Sequence, residues 1–167
     1  MRIITLYFFI LSFFVYAKEP IVAILDNIPS NAYQEFHIKN YAFSCSTYGV
    51  VPIEKLYLNA TLNSTCQKKI NDFYKTDPNS KYFAQRVLKV QQQYHLEFKN
   101  GECTLYALGQ KTFSELLLEN GLAIIKPLFR DDEFKYLFNQ AQKRAKANKK
   151  GMWKDNVIKS CIAELYK

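Results

Sequence analysis

From residue 20 onward the apolar and polar positions change period several times, and each change marks an element. Residues 21–25 form a short β-branched apolar run, and Asp26-Asn27-Ile28-Pro29-Ser30-Asn31 after it is turn chemistry, which predicts a first strand and a loop. Residues 33–43 alternate imperfectly, with Phe36 and Ile38 facing one way and Glu35, His37 and Lys39 the other, and read as one half-exposed strand. A further strand is expected within residues 48–58, broken near Pro52. The period then becomes helical. Asn63 or Ser64 can cap a helix carrying Cys66, Ile70, Phe73 and Tyr74 and ended by Asp77-Pro78; Ser80 can cap a second with Phe83, Ala84, Val87 and Val90 inward.

Two β-prone runs, 95–98 and 102–108, flank Lys99-Asn100-Gly101 and predict a tight hairpin. Thr112-Phe113-Ser114-Glu115 is a capping box: the Thr112 hydroxyl accepts the Glu115 amide, and the Glu115 carboxylate reaches back. It opens a helix through Leu116, Leu117 and Leu118, for which Gly121 supplies a left-handed stop. A last helix begins near Asp131 or Asp132, is expected to bury Phe134, Leu137, Phe138 and Ala141, and stops at Gly151. Its acidic start and basic finish complement the helix dipole. Val157, Ile158, Cys161, Ile162 and Leu165 then suggest a short amphipathic extension. The order of strands, helix, hairpin and helices points to an α+β fold, a five-stranded OB-type barrel carrying packed helices.

The first residues change the setting. Arg2, an apolar run over 3–15 and Ala17 before the polar Lys18-Glu19-Pro20 have the form of a secretory signal, so residues 1–17 are expected to be removed. The run is shorter than the roughly 18 residues that read as a transmembrane helix, and no second stretch approaches that length. Residues 18–167 therefore read as one domain without a membrane span. Cys45, Cys66, Cys103 and Cys161 lack C-x-x-C or zinc-finger spacing; in an exported chain they predict two disulfides, of which three connectivities are open. Asn59-Ala60-Thr61 and Asn63-Ser64-Thr65 match the glycosylation sequon. The formal net charge of +8 suits nucleic acid, anionic lipid or an acidic protein. Lys143, Arg144, Lys146, Lys149 and Lys150 gather into a basic helix end.

No nucleotide-binding glycine motif or nucleophile elbow is present, and the glycines at 49, 101, 109, 121 and 151 suit turns and helix stops. His37 and His95 stand alone on presumed strands. The stretch 81–153, however, resembles the staphylococcal nuclease family. It carries a helix, the strand Tyr94-His95-Leu96-Glu97-Phe98, a hairpin, then Ser114-Glu115-Leu116-Leu117-Leu118-Glu119-Asn120-Gly121-Leu122-Ala123. It closes on 141–153, similar to the family's A-x-x-x-A-x-x-x-x-x-G-x-W. The resemblance implies a buried Trp153 at the end of the last helix.

Chemistry in that family would need calcium held by aspartates of an Asp-Gly-Asp-Thr and a Gly-Ile-Asp-x-Pro-Glu segment, a glutamate that handles water, and two arginines on the phosphate. This chain has no Asp-Gly-Asp. In Gly49-Val50-Val51-Pro52-Ile53-Glu54, Val51 takes the aspartate's place and Ser46 stands near the first arginine's, while the hairpin loop, shortened to Lys99-Asn100-Gly101-Glu102, has no arginine. Glu54 alone is a candidate remnant, and a surface glutamate is the favoured reading of it. No catalytic residue, metal or cofactor is therefore expected. The reading is a degenerate nuclease-type domain in the periplasm or outside the cell, serving as a binding or assembly module with another envelope protein. A non-cleaving nucleic-acid binder is the alternative, and an active enzyme with rearranged ligands, for instance Asp26, Glu35 and Glu54, is a third.

Overall fold

The computed structural model describes residues 20–59, 63–154 and 161–162. The expected leader, Ala60 and Thr61 of the first sequon, and Val157, Ile158 and Leu165 of the extension lie outside them. Strands β1 (Ile21–Asn27), β2 (Tyr33–Ile38), β3 (Tyr41–Ser46), β5 (Gln93–Lys99), β6 (Glu102–Leu108) and β7 (Lys111–Thr112) form one antiparallel sheet in the order β3-β2-β1-β5-β6-β7. A two-stranded sheet pairs β4 (Val50–Pro52) with β8 (Ala123–Ile125). The large sheet curls until β3 reaches β6, where Thr47 bridges Cys103. This is an α+β, OB-like arrangement, with β7 and β8 beyond the strands expected and the second of those split into β2 and β3.

Disulfide Cys45–Cys103 staples that β3–β6 seam, and Cys66–Cys161 ties the first long helix to the C-terminal segment. The sequence left this pairing open. The helices are α1 (Asn63–Thr76), α2 (Pro78–Lys81), α3 (Phe83–Val87), α4 (Phe113–Glu119) and α5 (Asp132–Ala147). Phe36, Ile53, Leu56, Leu96, Phe113, Leu117 and Phe138 are fully enclosed in one contiguous core.

Several expectations need correcting. Residues 33–43 are not one strand: Lys39, at a φ of 54°, turns β2 back into β3, and a lysine gives no compositional warning of a left-handed turn. After β4 ends at Pro52, residues Ile53–Asn59 wind into a 3₁₀ helix that buries Ile53 and Leu56 at its three-residue repeat. Asp77, not Ser80, caps the next helix by accepting the Ser80 amide, with Pro78 at the first helical position. That helix breaks at Tyr82, so Ala84 and Leu88 turn inward and Val90 is half exposed.

The hairpin and the capping box form as predicted, and Gly121 holds a φ of +66°. A Cβ there would run into the Lys150 carbonyl, so glycine is needed for both conformation and approach. In α5 the buried stripe is Phe134, Phe138, Ala141 and Ala145, which leaves Leu137 44% exposed. At the closing G-x-W, Met152 takes the enclosed position. Trp153 is only half buried, with the Lys146 ammonium 4.6 Å from its ring centre.

Candidate functional site

Ser46, Val51 and Glu54 occupy the positions where the resemblance would put family chemistry. Val51 lies in β4 opposite Ile124 and is part of the core. The Ser46 hydroxyl accepts from the Lys55 ammonium at 3.1 Å, and that ammonium also sits 3.9 Å from the centre of the Tyr33 ring. Glu54 turns inward: its Oε2 accepts the Tyr74 phenol at 3.0 Å, while Oε1 is sealed from solvent without a partner. Burial raises the Glu54 carboxyl above its ordinary range, overriding the Tyr74 hydrogen bond, and the Tyr74 phenol is pushed up by burial and by Glu54.

These groups do not fit a calcium ion. A valine offers no oxygen, and the other candidate carboxylates, Asp26 and Glu35, are engaged elsewhere. Asp26 holds the His37 Nδ1 at 2.7 Å and Glu35 accepts the Asn27 amide at 2.9 Å, so His37 is not alone, whereas His95 is exposed on β5. Among the described residues no three His, Cys, Asp or Glu side chains converge on a point that a metal could occupy.

A cleft of about 850 Å³ lies between the hairpin tip and the connection from β8 to α5. Tyr48, Phe98 and Phe129 supply aromatic surface, and Lys99, Lys126, Arg130, Glu102, Asp131 and Asp132 supply three charges of each sign. Gly49 lets the backbone approach: a Cβ at its φ of +71° would lie 2.5 Å from the Phe129 ring. Most of these charges are already answered. Lys126 pairs with Glu102, whose other oxygen accepts the Gly49 amide. Lys99 donates to Glu133 at 2.6 Å, lies 3.5 Å from Asp131, and stacks 4.6 Å from the Phe134 ring centre.

Burial alone would lower the Lys99 ammonium, but Glu133 and Asp131 outweigh it and raise it. Burial likewise opposes the Asp131 carboxylate, yet the Tyr48 phenol at 2.6 Å, the amides of α5 and Lys99 hold it below its ordinary value. Arg130 is exposed in the same wall and makes no ion pair among the described residues. It comes from the β8–α5 connection, not from the hairpin, which is why hairpin spacing gave no sign of it.

The predicted basic residues Lys143, Arg144, Lys146, Lys149 and Lys150 are all exposed at the end of α5. Among the described residues only Arg144 of these approaches a carboxylate, Glu119 at 3.9 Å. The two disulfides point to an oxidising setting, and among the described residues no helix is long and apolar enough to cross a membrane.

With the curled sheet, the capping box and the Gly121–Gly151 contact established, the class is that of the nuclease-type OB-like domains. The chain belongs to the staphylococcal nuclease homologue family, whose model matches residues 60–155. The matched span contains the hairpin, α4 and α5 but begins after Gly49-Val50-Val51-Pro52-Ile53-Glu54. No curated protein matches the chain.

Proposed function

We propose that this chain is an exported nuclease-type domain that does not cleave phosphodiesters and acts in the cell envelope as a binding or assembly module, with another envelope protein as partner. The observation that carries this reading is the construction around Val51 and Glu54. A side chain without oxygen is packed in the β4–β8 core, and the remaining carboxylate is spent on an internal hydrogen bond to Tyr74. Where charge would have to be stabilised on a phosphate, Lys99 and Lys126 are neutralised by carboxylates. Losing one preorganised donor costs about 100-fold to 1000-fold in rate, and here several are missing together. The leader-like residues 1–17 and the two disulfides support export.

A second reading, nucleic-acid binding without cleavage, is favoured by the exposed lysines at the end of α5, which make no ion pair among the described residues. The chain comprising residues 18–167, incubated with envelope extract and with DNA at moderate salt, separates the two. Retention of one stoichiometric protein partner with DNA left intact and unbound supports the assembly role. Salt-sensitive DNA binding without a protein partner supports the second reading, and degraded DNA contradicts both.

A further inference from the structure

The charge pattern is uneven. In the large cleft the lysines are matched by acids, whereas residues 143–154 present Lys143, Lys146, Lys149, Lys150 and Lys154 to solvent with no ion pair among the described residues. Beside this run lies a second concavity of about 250 Å³, formed where α2 and α3 meet the end of α4 and the turn after α5. Arg86 and Lys150 line it from segments far apart in sequence, together with Asn79 and Asn120; the Asn120 Nδ2 already donates one hydrogen to the Leu116 carbonyl at 2.8 Å. Neither the Arg86 guanidinium nor the Lys150 ammonium has a hydrogen-bonding or ionic partner among the described residues, and both residues are exposed. The cleft's own carboxylate, Asp77, is turned to Ser80, accepting its hydroxyl at 2.7 Å and its amide at 3.3 Å.

We propose that this cleft is a phosphate-binding site, with Arg86 and Lys150 clamping the phosphate, Asn79 donating to a remaining oxygen and Asn120 offering the second hydrogen of its Nδ2. The chemistry selects phosphate over a lone carboxylate. A guanidinium offers paired donors, the ammonium a point charge, and the amides complete a tetrahedral set of oxygens. The volume takes an oxyanion with a few waters. The site is also held in place. Gly121 and Gly151 bring the backbones of the α4 end and the Lys150 turn into contact, and the Met152 amide donates to the Gly121 carbonyl at 2.9 Å.

Lys146, stacked on Trp153 beside Gly121, extends the positive surface away from the cleft, as do Lys143 and Lys149. A ligand carrying successive phosphates therefore gains more contacts than a single anion. No large apolar side chain is exposed within residues 143–154, so the surface lacks what would insert into a bilayer. The assignment stands whether or not the domain cleaves phosphodiesters, because it uses none of Ser46, Val51, Glu54 or the large cleft.

Trp153, the single tryptophan, reports on the site. Titration of the oxidised protein with inorganic tripolyphosphate should give a saturable change in its fluorescence. Arg86→Gln and Lys150→Gln should each weaken binding about tenfold, the scale of one charged hydrogen bond. Lys39→Asn, the same loss of charge at the β2–β3 turn, should leave it unchanged, and thermal melts establish that each variant is folded. If oligothymidylate binding is weakened by the same two substitutions, the phosphate belongs to a nucleic-acid backbone; if tripolyphosphate binds and oligothymidylate does not, the ligand is a soluble phosphate compound. Equal weakening by Lys39→Asn, indifference to Arg86→Gln and Lys150→Gln, or binding only to anionic phospholipid vesicles would overturn the proposal.

Discussion

Glu54 and Asp131 are both held by a tyrosine, yet the fold shifts them in opposite directions. Burial dominates at Glu54 and raises it; at Asp131 the Tyr48 phenol, the α5 amides and Lys99 overcome burial and lower it. A raised carboxyl contributes stability that is complete below its unfolded value and is lost as pH rises through the folded one. A depressed carboxyl contributes stability that is present above the unfolded value and is lost as pH falls through the folded one. Glu54→Gln should therefore remove a decline in stability between acid and neutral pH, and Asp131→Asn should remove part of the decline below about pH 4. Urea unfolding midpoints measured across this range check both signs; identical profiles for wild type and both variants would contradict the assignment. Neither pair was legible in the sequence, because Glu54 meets Tyr74 across 20 positions and Tyr48 meets Asp131 across 83.

At the scale of elements, local signals did best where the chemistry is local. The Asn100-Gly101 turn, the Thr112–Glu115 capping box and the Gly121 stop each depend on neighbours within a few positions, and all three formed. The β2–β3 turn and the 3₁₀ helix after Pro52 were missed, since packing rather than composition chose them. A third missed feature is Asn31, read as turn chemistry but enclosed in the structure. Its amide donates to the Ser80 carbonyl at 3.0 Å and its oxygen accepts the Ala84 amide at 2.8 Å, which fixes the β1–β2 loop to α2 and α3. Asn31→Ala would leave both backbone groups without their partner and should destabilise the protein by about 2–4 kcal/mol. Because α2 and α3 carry a wall of the Arg86–Lys150 cleft, hydrogen exchange should also rise there. A loss below about 0.5 kcal/mol, the usual surface range, would mean that the loop is held by something else.

For the whole molecule, the two disulfides set how the sheet and the C-terminal segment stay together. The pairs close 58 and 95 positions, and each should stabilise the fold by about 4–5 kcal/mol in the chain-entropy model. Reduction should thus lower the melting temperature by well over ten degrees, and non-reducing peptide mapping should recover only Cys45–Cys103 and Cys66–Cys161. Family membership was legible in the hairpin, α4 and the closing motif, which are scaffold. The case against family chemistry was legible only as missing residues. Its physical counterpart, a core-packed Val51 and an inward Glu54, required the fold.

The central claim is that this scaffold does no phosphodiester chemistry. It is tested most directly by single-turnover assays with excess protein, calcium, and labelled single-stranded DNA, double-stranded DNA and RNA. The account predicts cleavage indistinguishable from that in protein-free controls and unaffected by chelation. Calcium-stimulated cleavage by the wild-type chain that disappears in Glu54→Gln would contradict it.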